Sequence, residues 1–174
     1  PAAIGFITTL GITEVEVYKK PSVGIIVTGN ELIEAGKQLD YGQIYESNSL
    51  MLSSALQKSG HRESHVFKVP DDFESTLELL NQVIRSKDMV LISGGISVGD
   101  YDFVGRALEE LKVDQLFYKI KQKPGKPLFF GKKDDAYIFA LPGNPAAALS
   151  CFYIYVLRCL EGLSGNPFYE PILI

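Results

Sequence analysis

Four short apolar stretches, GIIVTG (24–29), HVFKV (65–69), DMVLIS (88–93) and YIFALP (137–142), each run straight into a polar loop. Those loops are TGNE (28–31), VPDD (69–72), SGGISVGDYD (93–102) and LPGNP (141–145). Helical patterns separate the strands. Residues 47–59 carry Leu52, Ala55 and Leu56 on one face and stop at Gly60. Phe73, Leu77, Leu80 and Ile84 mark a second helix, and Phe103, Val104, Ala107, Leu108 and Leu111 a third. Strand alternating with helix predicts a mostly parallel sheet between two helix layers, a three-layer α/β/α sandwich. After residue 111 the pattern changes. QLFYKIKQK, a PGKP turn, PLFFGKK, a DD turn and YIFALP read as antiparallel additions to the sheet, and a very apolar helix follows over about 145–160.

The carboxyl ends of parallel strands share one edge, where open α/β sheets bind their ligands, so the four loops should converge on one crevice. Glu31, Asp71, Asp72, Asp100 and Asp102 bring hard oxygen donors suited to a Mg²⁺-like cation, and glycine-rich backbone N–H groups suit oxyanions. A phosphorylated ligand with a divalent cation satisfies both. Between Asp114 and Asp134 no acidic residue occurs, yet Lys119, Lys121, Lys123, Lys126, Lys132 and Lys133 all fall there, in a chain of formal net charge −4. On a strand, Lys119, Lys121 and Lys123 would share one face and repel each other unless an anion or carboxylate lay near. The same lysines would equally guard a solvated hairpin edge against pairing.

Other classes are disfavoured. The acidic balance, with a pI near 5.2, argues against a general nucleic-acid or membrane-surface binder. Cys151 and Cys159, eight apart on one helical segment, would lie about 12 Å apart along its axis and cannot bridge, which fits a reducing cytoplasm. The apolar run 146–157 is shorter than the roughly 20 residues that span a bilayer, and no signal-peptide layout opens the chain. His61 and His65 read as strand-face residues, so no histidine activates Ser93 or Ser97, and no cysteine joins a histidine in a zinc site. KPGKP (123–127) lacks the spacing of a P-loop. Several motif residues also have architectural readings: Asp102 and Asn144 as helix N-caps, Pro145 as a first-turn residue, and the glycines of GGISVG as suppliers of positive φ. The opening at Pro1 reads as the tail of an earlier segment, which predicts a piece of a longer protein.

TGNEL (28–32), IYESN (44–48), SGGISVGDYD (93–102), KPGKP (123–127) and LPGNP (141–145), in this order across nearly the whole chain, resemble one protein family. It is the MoeA family of molybdopterin molybdotransferases, which includes the gephyrin E domain, and the match is to its MogA-like molybdopterin-binding domain. LGITEVEVYKKPSVGI (10–25) is similar to the segment by which that family's chain enters this domain. The resemblance implies a lead-in segment over 1–20, the binding domain over 21–165, and the start of a C-terminal domain over 166–174. It implies a Mg²⁺-dependent reaction in which adenylylated molybdopterin is cleaved, AMP leaves and molybdate is inserted at the dithiolene. By position, Glu31, Asp71 (or Asp72) and Asp102 would be the working carboxylates, with Glu31, Asp100 and Asp102 as metal ligands. Lys119, Lys123 and Lys126 would face oxyanions. Thr28, Gly29, Ser93, Gly94, Gly95, Ser97, Gly99, Pro142, Gly143, Asn144 and Pro145 would shape the pterin or molybdate pocket. The chain departs from the family pattern at Asn30 and Glu46, where Asp is usual, and at Ala147, where Ser is common. A MogA-like adenylyltransferase is the rival activity, although its loop is closer to GGTG followed by threonine-rich sequence; a scaffold of the same fold is the rival of another class. The family further implies a cytoplasmic enzyme and a homo-oligomer, dimeric as the full protein and trimeric for isolated MogA-like domains. A MogA-like adenylyltransferase would be its functional partner, with no nucleic acid or membrane involved.

Overall fold

In the computed structural model, which describes residues 1–96 and 103–166, the strand signals assemble one six-stranded sheet. Its strands are β1 (Val23–Thr28), β4 (Ser64–Val69), β5 (Met89–Ser93), β6 (Asp114–Tyr118), β7 (Phe129–Lys133) and β8 (Ala136–Leu141). They lie in the order β4-β1-β5-β8-β7-β6, while β2 (Leu32–Ile33) and β3 (Ile44–Tyr45) form a separate parallel pair. β1 is parallel to β4 and β5, and β5 is parallel to β8; β7 alone runs against its neighbours β8 and β6. The YIFAL strand is thus antiparallel only towards β7 and otherwise continues the parallel sheet.

The two-residue period of a strand sends alternate side chains to opposite faces, which explains why β1, β5 and β8 are apolar on both faces until their polar ends at Thr28 and Ser93. Val23, Ile25, Val27, Met89, Leu91, Phe139 and Leu141 pack on one face against α2 (Asn48–Lys58) and the last helix. Ile26, Val90, Ile92, Ile138 and Ala140 pack on the other against α3 (Phe73–Ser86) and α4 (Phe103–Glu110). The predicted three layers are therefore present. Phe139 and Phe152 are among the largest fully buried side chains, and truncating either to Ala would cost about 3–5 kcal/mol. A preceding helix, α1 (Ala2–Thr9), has no buried residue.

The last helix differs from expectation in extent and geometry. It comprises α5 (Pro145–Cys151), a π-helical turn (Phe152–Val156) and α6 (Leu157–Leu163). By length and composition its 19 residues would span a membrane, yet Ala148, Cys151, Phe152, Val156 and Leu160 are fully buried against the sheet. Both cysteines are free, as their spacing required.

Two expectations are overturned. The KIKQK segment is not a strand with three lysines on one face: β6 ends at Tyr118, and Lys119 takes a left-handed φ of +60°. The physical reason is that the segment bonds to its own return limb, with the Lys119 N–H donating to Leu128 O (3.1 Å) and the Ile120 N–H to Lys126 O (3.1 Å). His61 is not a strand residue either. It is buried in the turn after α2, where its N–H donates to Leu56 O (2.9 Å); His65 does lie on β4, exposed, 3.1 Å from Lys87 Nζ.

Candidate functional site

The chain leaves β1 towards β4 on one side and leaves β5 towards β8 on the other, so the sheet reverses its winding between β1 and β5. Such a switch point opens a crevice at the strands' carboxyl ends. Here it is a cleft of about 330 Å³ whose lining includes the expected Thr28, Glu31, Ser93, Gly94, Gly143, Asn144 and Pro145. It is also lined by Leu32, Ile44, Tyr45, Glu46, Ser47 and Asn48, to which the sequence assigned no role.

Two glycines, Gly94 in the lining and Gly95 just beyond it, hold the ends of β1 and β5 together. A Cβ on Gly94 would stand 2.4 Å from Thr28 O, and one on Gly95 would stand 2.6 Å from the methyls of Thr28 and Val104. Both also have positive φ, +93° and +64°, so only glycine lets the ends of β1 and β5 approach this closely. Opposite, Asn144 Oδ1 accepts from the Ala147 N–H (3.2 Å) and Pro145 opens α5, as the Asn-Pro pair predicted.

The remaining wall comes from the β2–β3 pair. The Ile44 N–H donates to Glu31 O (2.9 Å) and the Glu46 N–H to Ile33 O (2.8 Å), which swings residues 46–48 over the end of β1. Glu46 then caps α2: its carboxylate accepts from the Ser49 N–H (2.8 Å) and hydroxyl, a task the N-cap residue Ser47 leaves undone. Asn48 bridges across the floor. Its Nδ2 donates to Ser93 Oγ (2.7 Å) and to Gly143 O (2.8 Å), joining three separate segments. The Asn48 side-chain oxygen is buried and has no partner among the described residues, a condition that costs about 1–3 kcal/mol.

The carboxylates divide sharply. Asp71 accepts from the Thr28 hydroxyl and from the Asn30 N–H (3.1 Å), while Asn30 Oδ1 accepts from the Asp71 N–H (3.1 Å). Asn30 thus supplies the acceptor an aspartate would supply, without setting a second negative charge against Asp71. Asp72 caps α3 by accepting from the Ser75 N–H (2.9 Å). Neither Asp71 nor Asp72 lines the cleft, whereas Glu31 does, and its carboxylate has no partner among the described residues.

The lysine loop, residues 119–128, hangs from the same edge, because Tyr118 pairs with Phe129 and Phe129 with Ala140. Lys119, Lys121, Lys123 and Lys126 are exposed and form no ion pair among the described residues; Lys119 Nζ lies 4.7 Å from the Tyr118 ring centroid. The loop is tethered through Gln122, whose Oε1 accepts from the Tyr155 hydroxyl (2.6 Å) and whose Nε2 donates to Pro124 O (2.8 Å). None of these lysines lines the cleft itself, and of the expected pocket residues Gly29, Gly95 and Pro142 do not line it either. Ser97, Gly99, Asp100 and Asp102 lie outside the described residues. Neither cysteine lines the cleft, and burial pushes the Cys159 thiol up to about 11 and also raises Cys151.

Comparison with known proteins agrees with this geometry. Residues 24–162 match the family model described as "Probable molybdopterin binding domain". The molybdopterin molybdenumtransferase of Haemophilus influenzae is 41% identical over 168 residues, covering 95% of this chain and 41% of that protein. The molybdopterin biosynthesis MoeA protein from Pyrococcus horikosii superposes with a TM-score of 0.79 at 33% identity, over 93% of this chain and 40% of that one. The Mog protein from Mycobacterium ulcerans shares the fold, with a TM-score of 0.63 at 16% identity, over 85% of this chain and 99% of its own. This chain therefore spans about two fifths of the molybdenumtransferase and MoeA chains and nearly all of the Mog chain. It belongs to the molybdopterin-binding domain family, in the form that makes up the central domain of MoeA proteins.

Proposed function

We propose that this chain is the pterin-binding domain of a molybdotransferase, which inserts molybdate into adenylylated molybdopterin and releases AMP. The observation that carries this reading is the switch-point cleft lined by residues of the TGNEL, IYESN, SGG and PGNP motifs, in a chain 41% identical to a molybdopterin molybdenumtransferase. In this reading Thr28, Gly29, Ser93, Gly94, Gly95 and residues 142–145 bind the pterin or molybdate, and the family resemblance adds Ser97 and Gly99, which lie outside the described residues. The unpaired Lys119, Lys123 and Lys126 neutralise phosphate and molybdate oxygens as charge develops on the leaving phosphate, which is positioning plus electrostatics. Asp71 works indirectly, by holding Thr28 and Asn30 in place.

Among the described residues no group of three His, Cys, Asp or Glu side chains is placed to hold a metal ion. Mg²⁺, however, is commonly held by one or two carboxylates with substrate phosphates, and the unpartnered Glu31 fits that pattern. Glu31 would hold the ion with Asp100 and Asp102, and the bound ion would supply charge neutralisation at the phosphate. The domain boundaries at residues 20 and 165, a cytoplasmic setting, a dimeric full-length enzyme and a MogA-like adenylyltransferase as source of the substrate complete the proposal.

The test supplies adenylylated molybdopterin and Mg²⁺ and follows AMP with and without molybdate. Molybdate-dependent release, reduced about 10²-fold or more in Lys123→Ala with its stability unchanged, is the expected result. Adenylylation of molybdopterin from ATP instead would assign the adenylyltransferase activity, and neither reaction would leave a scaffold.

A further inference from the structure

We propose that Asn48 is a positioning residue that fixes the Ser93 hydroxyl as a hydrogen-bond donor to an anionic oxygen of the ligand; this rests on the molybdotransferase reading. The Gly143 carbonyl, which can only accept, lies 2.8 Å from Asn48 Nδ2 and so sets which way the amide points. With that orientation fixed, the second N–H of Nδ2 must donate to Ser93 Oγ at 2.7 Å. Ser93 therefore accepts from Asn48, and its own hydrogen has no acceptor among the described residues. Ser93 is 1% exposed and lines the cleft, so that hydrogen serves a group held inside the cleft rather than bulk water.

A second observation points the same way. Asn48 is itself nine-tenths buried, and its Oδ1 finds no donor among the described residues. Native folds keep few such atoms, and where they do the residue commonly serves a site. Asn48 sits one position inside α2, which is started by Glu46, so the helix does not need its side chain as a cap. What the side chain does instead is tie α2 to the ends of β5 and β8 and impose one hydrogen-bond polarity on the cleft floor. An acidic residue here would do the reverse: its carboxylate would accept the Ser93 hydrogen and repel Gly143 O.

The experiment measures binding of adenylylated molybdopterin by calorimetry in the protein expressed from its complete coding sequence, for wild type, Ser93→Ala, Asn48→Asp and the double variant. A charge-assisted hydrogen bond lost from a buried site predicts about tenfold weaker binding for Ser93→Ala and at least that for Asn48→Asp. The decisive result is coupling: Ser93→Ala should weaken binding in wild type but by less than about twofold once Asn48 is Asp. If the two losses multiply, the carboxylate acts only as a repelling charge and the proposal falls. It falls also if Asn48→Asp binds as tightly as wild type. Asn48→Ala serves where the acidic variant does not fold; it should weaken binding less than Ser93→Ala, because a free hydroxyl still donates part of the time, and a larger loss would indicate packing alone. Coupling without molybdate-dependent AMP release would overturn the assigned reaction and leave the role of Asn48 standing, while release with independent losses would do the opposite.

Discussion

The two edges of the sheet are built by opposite rules. At the amino edge Asp88 Oδ2 accepts from the Ser22 N–H (2.7 Å) and hydroxyl (2.8 Å), and Ser22 Oγ accepts from the Asp88 N–H (3.2 Å). The Met89 N–H donates to Ser22 O (3.1 Å) and the Tyr137 N–H to Asp88 O (3.0 Å), so β1, β5 and β8 are stitched together within the chain. At the carboxyl edge, the Glu31 carboxylate, the Asn48 amide oxygen, the Ser93 hydroxyl hydrogen and the ammonium groups of four lysines in the 119–128 loop have no hydrogen-bond or ion-pair partner among the described residues. One set of strands therefore carries stability at one end and open binding groups at the other.

The largest effect tests whether the open edge is held by backbone contact instead of hydrogen bonds. Gly94→Ala sets a Cβ against Thr28 O in a positive-φ conformation and should lower stability by about 3 kcal/mol in urea unfolding; a loss below about 1 kcal/mol would show that this edge yields freely. Asp88→Ala should follow with about 1–2 kcal/mol at pH 7. The Ser22 backbone N–H, opposed by burial and aided by the Ser22 hydroxyl and nearby lysines, holds the Asp88 carboxyl below its ordinary range. Its folded pKa lies below the unfolded value near 3.9, so its contribution is complete above that pH and is lost as pH falls through the folded pKa. Wild type and variant should accordingly converge in stability below about pH 4. The smallest effect belongs to His61, whose imidazole is held below its ordinary value by burial and by Lys20. The unfolded chain takes up that proton first, so stability should decline as pH drops below about 6.5, and His61→Gln should flatten this slope.

How much of this was legible varies with sequence distance. The alternating strands and the helices that start at Phe73 and Pro145 follow from local period and capping, and each is found; of the four loops, residues following β1, β5 and β8 line the cleft, whereas the VPDD loop after β4 reaches only Thr28 and Asn30. Asn144 was readable as a cap because a cap lies three residues from its donor, and Asp72, expected as a carboxylate of the site, carries the same local signal and caps α3 instead. Asn48 was not, since its partners are 45 and 95 residues away and no local pattern encodes them. The lysine segment misled for a related reason. Its two-residue alternation mimics a strand, but bonding to its own return limb through Leu128 and Lys126 rewards a folded loop instead. Glu46 could have been found: a carboxylate three residues before Ser49, just ahead of an apolar helix, carries the signature of an N-terminal cap.

The π turn in the last helix is geometrically an α-helix with one extra residue let in. Each residue of an α-helix advances the side-chain direction by about 100°, so an added one turns everything beyond it onto a different face. Here the shift keeps Phe152, Val156 and Leu160 against the sheet while Tyr155, inside the turn, reaches Gln122 in the lysine loop. A deletion of one residue within 152–156 would restore a regular helix and point Tyr155 elsewhere. The loop that presents the lysines is thus indexed to a count of residues in a helix that contributes only its first residue, Pro145, to the cleft lining.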